Sequence, residues 1–303
     1  MRSLEVIHET RYRYGALVEH AHHWVRLRPL QDALQRVEQF SLTIDPSPRY
    51  RTERRDAHQV REVRFEIDSP HRELIVTSRS AVGVSQAPKL EGVDPPWESV
   101  ASMLAFDARA PWQPAALEVC NSPLAFAHPD LRQSVLKSFQ PGRPLREAAV
   151  DWMGRVHREI RYVPRATDVT TSALEAHRLG QGVCQDLAHV MIAGLRSIGL
   201  AARYVSGYLL TMPPQGQARL IGADASHAWV AVWCPSVQWF ELDPTNNRAP
   251  GNDYVTLARG RDYSDVAPIR GVIRGGGSHT LTVSVTVQDL EITPAGEVAE
   301  SGF

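Results

Sequence analysis

The chain has 303 residues, of which 43% are hydrophobic and 22% are charged, a composition typical of globular proteins with a sizeable buried core. Its formal net charge of −1 gives no reason to expect a nucleic-acid or membrane-surface partner. Three cysteines are too few for a disulfide framework, and the lack of a long apolar run or a leader-like N-terminus predicts a cytoplasmic protein.

The first 90 residues carry a strand-like pattern that extends from Leu4 to about Val84. Residues that favour strands cluster or alternate, with turn residues between the clusters, at positions 11–14, 40–44, 60–67 and 73–77. This pattern predicts an antiparallel, sandwich-like β domain over residues 1–90. His20, His22 and His23 have only local spacing and no suitably placed acidic or thiol residue, so we expect no metal site there.

The rest of the chain divides into three predicted parts. A proline-rich connector over residues 91–122 wraps the protein and contains a short helix at about 97–106. An α+β core over residues 123–250 contains helices at about 145–160 and 170–179, and a polar loop at 212–224 that we expect to border the active site. A C-terminal extension over residues 251–303 contains an alternating strand at 280–287, which we expect to return to a sheet, with the N-terminal sheet as the first candidate.

Cys184 opens the most strongly patterned helix of the core. The run G-Q-G-V-C-Q-D-L-A-H-V-M-I-A-G-L-R-S-I-G has glycines just before the cysteine and ends at Gly199, where a helix-terminating glycine is expected. From the cysteine onward, apolar residues recur with helical spacing and form one stripe. A sulfur at the start of a helix is close to unpaired backbone N–H groups, which stabilise a thiolate. Cys120 and Cys234 lack this setting, and we expect them to be structural.

Two strands after this helix supply a candidate base and acid. The segments 227–233 and 237–242 are rich in strand-forming residues and are separated by Cys-Pro-Ser. Pairing Trp233 with Val237 would place His227 opposite Asp243, with Cβ atoms about 4.5–5.5 Å apart. A nucleophile, a base and a group that orients the base are the parts of a thiol acyl-transfer site. Asn246 is an alternative orienting group, because Asp-Pro-Thr-Asn-Asn is also a good turn sequence.

These motifs together resemble a known family. The segments G-Q-G-V-C-Q-D-L-A-H, A-R-Y-V-S-G-Y-L, S-H-A-W-V-A-V-W and E-L-D-P-T-N-N resemble the bacterial branch of the transglutaminase-like superfamily, roughly from Leu145 to Asn247. The opening segments H-E-T-R-Y-R-Y-G and W-V-R-L-R-P resemble the β-rich N-terminal region that accompanies this core. The resemblance implies a papain-like α+β catalytic core with Cys184 as nucleophile, His227 as general base and Asp243 as its partner.

Several further residues are candidates for supporting roles. The backbone N–H of the nucleophile is one expected oxyanion donor, and the side chains of Gln181 and Tyr162 are alternatives for the second. Trp229 shares the predicted His227 face of its strand and is a candidate wall of the substrate groove. We expect Asp186 to stabilise the start of the helix. His189 lies off the apolar stripe and is expected at the surface or in a hydrogen bond to the N-terminal domain.

The leading functional hypothesis is thiol-dependent acyl transfer on amide bonds of peptides or proteins, through a thioester that water resolves, as in a cysteine peptidase or amidohydrolase. A protein-glutamine γ-glutamyltransferase, in which an amine resolves the thioester, is the alternative within catalysis. A non-catalytic peptide-binding module is the alternative from another class. A zinc hydrolase is disfavoured because Cys184, His189 and His227 lack the spacing of metal ligands, and no cofactor is expected. The sequence does not indicate an oligomeric state.

Overall fold

Long strands build the N-terminal part of the chain. The computed structural model describes residues 1–55, 60–87, 92–109, 111–211 and 226–290. The first strands are β1 (Arg2–Val25), β2 (Gln35–Asp45), β3 (Tyr50–Arg55), β4 (Arg61–Ile67) and β5 (His71–Val84). β1 pairs antiparallel with β5 along its first half and with β4 along its second half. β2 extends the sheet beyond β5, and β3 extends it beyond β4.

The sandwich-like shape arises because β1 pairs with strands in both halves of this sheet. Its register with β5 shifts between Arg13 and Val18, and bulges of this kind allow one strand to turn from one layer into the next. The two halves share one apolar cluster. Members of this cluster come from β1, β2, β4 and β5 and include Val18, Leu42, Phe65, Leu74 and Val76. The predicted antiparallel β domain is therefore confirmed, although its first predicted short strand is part of a strand of 24 residues.

The core begins with helices. They are α1 (Trp97–Leu104), a 3-10 helix (Pro114–Val119), α2 (Pro129–Val135), α3 (Leu145–Glu159), α4 (Ala173–Leu179) and α5 (Cys184–Ser197). The helices predicted at 145–160 and 170–179 are present as α3 and α4. Two short parallel strands, β6 (Arg161–Tyr162) and β7 (Gln181–Gly182), bring the end of α3 beside the approach to α5.

A four-stranded antiparallel sheet completes the core. Its order is β10–β9–β8–β11, and the strands are β8 (Ala202–Leu209), β9 (Ser226–Cys234), β10 (Gln238–Leu242) and β11 (Tyr254–Gly260). β11 lies beyond residue 250, where we predicted the core to end. It is nevertheless a strand of the core sheet, and its apolar residues Tyr254, Val255 and Leu257 are buried. The predicted loop at 212–224 lies outside the described residues.

The central helix of the core is α5, which is buried from Gln185 to Arg196. It packs against α2, α3 and α4 on one side and against β8 and β9 on the other. A helix that is enclosed in this way has little freedom to move. In its last turn, Arg196 donates hydrogen bonds to the carbonyl group of Glu118 in the connector and to that of Ala125 just after it. Packing and these bonds therefore hold the first residue of α5 in place.

The chain finally returns to the N-terminal sheet. After α6 (Tyr263–Val266), β12 (Ile269–Gly275) pairs with the second half of β1, and β13 (His279–Asp289) pairs with its first half. β13 contains the alternating strand predicted at 280–287. The segment from β6 to β11 thus lies, in the chain, between strands that belong to one and the same sheet.

Candidate active site

Cys184 is the first residue of α5 and is partly exposed. Asp186 organises the start of this helix, as predicted, because its Oδ2 accepts the Val183 N–H at 2.8 Å and the Thr167 hydroxyl at 2.6 Å. Burial raises the pKa of Asp186, and these two hydrogen bonds oppose the rise. A Cβ atom at Gly182 would lie 2.7 Å from the Asp186 side chain, so the turn that presents the cysteine requires glycine at this position.

The hairpin that carries His227 has a different register from the predicted one. Cys234 pairs with Gln238, so the three-residue loop lies one position further along the chain than we predicted. The physical reason is a turn in which Cys234 accepts the Val237 N–H at 3.3 Å, followed by Gln238 in the left-handed region at φ 64°. Continued to the end of β10, this register places Asp243 beside Trp229, and not directly opposite His227.

The two side chains nevertheless meet across this diagonal. His227 Nε2 and Asp243 Oδ2 are 2.7 Å apart, and the Asp243 side chain is fully buried. Residues displaced by two positions across a strand pair are within reach of long or aromatic side chains. The predicted His–Asp neighbourhood is therefore present, although the direct facing that led to its prediction is wrong.

The Asp243 carboxylate is surrounded by hydrogen-bond donors. Oδ1 accepts the backbone N–H groups of Thr245 and Asn246 at 2.8 and 3.2 Å. Oδ2 accepts the Asn246 amide and the Tyr254 hydroxyl, each at 2.7 Å, in addition to the His227 ring. Burial on its own would raise the pKa of Asp243, but the bond to His227 and these donors lower it below its ordinary value. The carboxylate is therefore held in its charged form beside the imidazole.

Two residues of this site are absent from the sequence-based prediction. Tyr254 donates to Asp243, and Arg248 donates to the Tyr254 hydroxyl at 3.1 Å. No motif marks either residue, because their contacts depend on how β11 packs beside β8. Asn246, the predicted alternative to Asp243, contacts both Asp243 and the ring, with Nδ2 3.3 Å from His227 Nε2.

The His227 ring links the carboxylate to the thiol. Burial lowers its pKa, but the hydrogen bond to Asp243 and the interaction with Cys184 outweigh burial and raise the pKa to about 9. The structure therefore brings Cys184, His227 and Asp243 together in one connected site.

This raised pKa predicts a pH-dependent contribution of His227 to stability. The ring has an ordinary pKa of 6.5 and a pKa of about 9 in the folded protein, so the folded state binds the proton more tightly. The contribution is complete below pH 6.5 and is lost as the pH rises through about 9. Relative to a His227→Gln variant, we expect the free energy of unfolding to fall by up to about 3 kcal/mol over this window, in urea denaturation. A difference between the two proteins that does not change with pH would contradict the raised pKa.

Trp229 lies beneath His227 and is fully buried. Its ring centroid is 6.0 Å from that of His227, and its Nε1 donates to Glu241 at 2.7 Å. The prediction that Trp229 lines the substrate groove is therefore wrong, because the indole is buried in a small apolar cluster with Val205 and Tyr254. The Trp229 ring instead packs beside the His227 imidazole and supports it.

Tyr162 and Gln181, the two candidate oxyanion donors, lie on the paired strands β6 and β7. Tyr162 is 51% exposed. Partial burial and then the negative charge of the Cys184 sulfur raise its pKa, which shows that the phenol is within electrostatic range of the nucleophile. The side-chain Oε1 of Gln181 accepts a long hydrogen bond of 3.4 Å from the Arg161 guanidinium. The choice between the two donors stays a prediction.

His189 is fully buried, so its predicted surface position is wrong. The helix stripe suggested one polar face, but α5 is enclosed on all sides. Its Nε2 accepts the backbone N–H of Tyr263 at 3.1 Å, and burial lowers its pKa to about 4. The partner of the ring therefore comes from the segment after β11, and not from the N-terminal domain.

The N-terminal histidines are placed apart from the active site. His20 and His22 lie 3.8 and 3.5 Å from Asp68 and Glu66, and His23 is buried and stacked on Phe65 with ring centroids 5.2 Å apart. Within the described residues, no group of three or more His, Cys, Asp or Glu side chains has an arrangement that could hold a metal ion.

Comparison with known proteins agrees with this architecture. The chain belongs to the transglutaminase-like superfamily: the model of the bacterial transglutaminase-like N-terminal region matches residues 4–83, and that of the transglutaminase-like superfamily matches residues 133–244. An uncharacterized protein of Mycobacterium tuberculosis is 38% identical, over 94% of this chain and 92% of that protein. A second, from Mycobacterium leprae, is 32% identical over 96% and 100% of the two chains.

Two further similarities are to a segment of an enzyme and to a solved structure. The protein-glutamine gamma-glutamyltransferase of Pseudomonas aeruginosa is 39% identical over 70 residues, which are 23% of this chain and 10% of that enzyme. A crystal structure of a candidate cysteine protease from Cytophaga hutchinsonii has a TM-score of 0.72 and 19% identity, and the match covers 96% of this chain and 91% of that one. This structure shows that the transglutaminase-like cysteine protease fold extends over nearly the whole chain.

Among the residues that the structure describes, no helix combines the length and the apolar character needed to cross a bilayer. The predicted cytoplasmic location stays a prediction.

Proposed function

We propose that the protein is a cysteine-dependent enzyme that transfers acyl groups from amide bonds of peptides or proteins, with Cys184, His227 and Asp243 as its catalytic residues. The observation that supports this proposal most directly is the position of the His227 ring, which hydrogen-bonds to the buried Asp243 carboxylate at 2.7 Å and interacts electrostatically with Cys184. A nucleophile at a helix start, a base that contacts it and a buried carboxylate that orients the base are the parts that such chemistry requires.

In the proposed reaction, His227 takes the thiol proton and the Cys184 sulfur attacks the carbonyl carbon of an amide. The carbonyl π electrons move to oxygen, and the backbone N–H of Cys184 at the start of α5 stabilises the oxyanion. When the carbon–nitrogen bond breaks, the imidazolium gives its proton to the leaving amine and a thioester remains. Asp243 stays ionised throughout and stabilises the imidazolium, in line with the raised pKa of His227 and the lowered pKa of Asp243.

Hydrolysis of the thioester is the first candidate for the second half of the reaction. His227 would remove a proton from water, and hydroxide addition would release a carboxylate and regenerate the thiol. The shared fold with a candidate cysteine protease is in accord with this outcome.

Amine transfer is the second candidate, in which a primary amine replaces water and the acyl group comes from a glutamine side chain. Its support is the local 39% identity to a protein-glutamine gamma-glutamyltransferase, which covers 70 residues. Both outcomes pass through a thioester on Cys184, and they differ in the nucleophile that accepts the acyl group and, for a peptidase, in the amide bond that supplies it.

A proteome-derived peptide library, incubated with and without cadaverine and analysed by mass spectrometry, tests the proposal. New peptide termini indicate a peptidase, conversion of glutamine to glutamate indicates an amidase, and cadaverine joined to glutamine indicates a transferase. A matched incubation with Cys184→Ala protein gives the background. If the wild-type protein produces no change above that background, the catalytic proposal is contradicted and the peptide-binding alternative is favoured.

A further inference from the structure

The outer edge of β11 is completed by the N-terminal domain. On its inner side β11 pairs with β8. On its outer side, the Thr256 carbonyl accepts the backbone N–H of Leu30 at 2.9 Å. The Gln35 side chain adds two more bonds, since its Oε1 accepts the Thr256 N–H at 2.7 Å and its Nε2 donates to the Thr256 carbonyl at 2.8 Å. The Gln35 amide thus makes the hydrogen bonds to Thr256 that a neighbouring strand would otherwise make.

Gln35 is built into this position. The side chain is 4% exposed, and its Nε2 also donates to the Leu30 carbonyl at 2.5 Å. The turn that delivers it is closed by Asp32, which accepts the backbone N–H groups of Leu34 and Gln35 at 2.9 and 3.0 Å. A buried amide that satisfies both backbone groups of one residue fixes that residue closely, because loss of either bond leaves a buried polar group without a partner.

Thr256 lies in the same row of the sheet as the catalytic histidine. In the register of the sheet, Thr256 is opposite Gly207, and Gly207 is opposite His227. At Gly207 a Cβ atom would lie 2.1 Å from the Val255 carbonyl oxygen and 2.4 Å from the Trp229 ring, so the row is closely packed. A displacement of Thr256 is therefore passed to the neighbouring strand with little room for relaxation.

Two residues of β11 connect this edge to the site. Tyr254, two positions before Thr256, donates to the Asp243 carboxylate at 2.7 Å. Arg259 contacts Asp32 of the N-terminal domain and Glu241 of β10, each at 3.0 Å. Glu241 accepts the Trp229 Nε1 at 2.7 Å, and Trp229 is the ring beneath His227. The segment 30–35 is thus connected, through residues of β11, to the Asp243 carboxylate and to the Trp229 ring that supports His227.

We infer that Gln35 is a positioning residue for the catalytic site, through which the N-terminal β domain sets the place of β11 and so the geometry of Asp243 and His227. The inference rests on the proposed function in its use of these two residues as an acid–base pair. It gives the N-terminal domain a role in the reaction without any contact of that domain with the reacting atoms.

A Gln35→Met variant tests this inference, because methionine keeps the length of the side chain and removes its hydrogen bonds. Val76→Ala is the matched control. Val76 is buried in the apolar cluster of the N-terminal domain and is not part of the row formed by Thr256, Gly207 and His227. His227 is followed by NMR of the ring 13Cε1 in histidine-labelled protein and assigned with His227→Gln. We expect its titration midpoint to fall by about 0.5–1 pH unit in Gln35→Met and to stay unchanged in Val76→Ala. The alkylation rate of Cys184 at neutral pH should fall severalfold in the first variant only.

The outcomes separate the inference from the proposed function. If Gln35→Met lowers the free energy of unfolding as Val76→Ala does but leaves the His227 midpoint in place, Gln35 is merely structural and the inference is overturned. If the wild-type Cys184 reacts no faster than Cys120, the proposed catalysis fails, whereas the titration of His227 still decides the role of Gln35. Gln35→Asn keeps the amide on a shorter side chain and replaces Gln35→Met if that variant does not fold, with the same expected direction.

Discussion

A Cys184→Ala variant is expected to lose acyl transfer by about 10⁴-fold or more, because removal of the nucleophile from such a site leaves only binding and oxyanion stabilisation. The readout is conversion of amide bonds in the peptide library described above. Cys184 is partly exposed at a helix start, so the substitution should leave the thermal unfolding midpoint within a few degrees of the wild type.

The other two cysteines provide controls for this prediction. Cys120 is exposed and Cys234 is buried in the core, and neither contacts His227 or Asp243. Cys120→Ala and Cys234→Ala proteins should therefore retain activity, and iodoacetamide should label Cys184 faster than Cys120 near neutral pH. A Cys184→Ala protein that keeps substantial activity would place the chemistry elsewhere.

An Asp243→Asn variant is expected to lower activity by about 10³–10⁴-fold, through its effect on the imidazole. Asp243 is the strongest of the groups that raise the pKa of His227, and burial opposes it. Without the carboxylate charge, burial is opposed by Cys184 alone, and we expect the pKa of His227 to fall well below about 9. The pH limit above which the imidazolium is lost, measured as the alkaline limb of the rate profile, should move down accordingly.

Asn246→Ala is the matched control, since it removes a neutral donor from the same carboxylate oxygen at 2.7 Å and leaves the charge in place. We expect a loss of about tenfold or less and a small movement of the alkaline limb. Equal losses in the two variants, or an Asp243→Asn profile with its alkaline limb unmoved, would show that Asp243 acts only as a structural residue of the turn.

The parts of the site that depend on local patterns could be predicted from the sequence. Cys184 is marked by glycines on one side and an apolar helical stripe on the other, and both signals lie within about one helix length. The His227–Asp243 neighbourhood follows from two strand-like segments and a short loop. Because side chains alternate with period two, the facing of a hairpin depends on the position of its turn. The predicted turn differs by one residue from the observed turn, in which Cys234 pairs with Gln238. His227 and Asp243 therefore do not face each other directly.

The parts that depend on contacts between distant segments could not be predicted in this way. Trp229 and His189 are buried because neighbouring layers cover them, and their own helix or strand pattern contains no sign of those layers. Tyr254 donates to the Asp243 carboxylate and Gln35 binds the edge of β11, and both contacts exist only after the sheets have formed. Polar side chains of this kind occur in many surface loops, so their identity alone carries no signal.

Pairing of β1 with β13 has a consequence for how the polypeptide is made. Strands near the two ends of the sequence are neighbours in one sheet, from Leu4 beside Asp289 to Tyr14 beside His279. Synthesis proceeds from the N-terminus, so this edge of β1 has no partner until β13 (His279–Asp289) has left the ribosome. Such distant pairing slows folding, and during that interval one long edge of β1 is open to association with other nascent chains. Efficient production in the cell should therefore depend on chaperones that shield this strand.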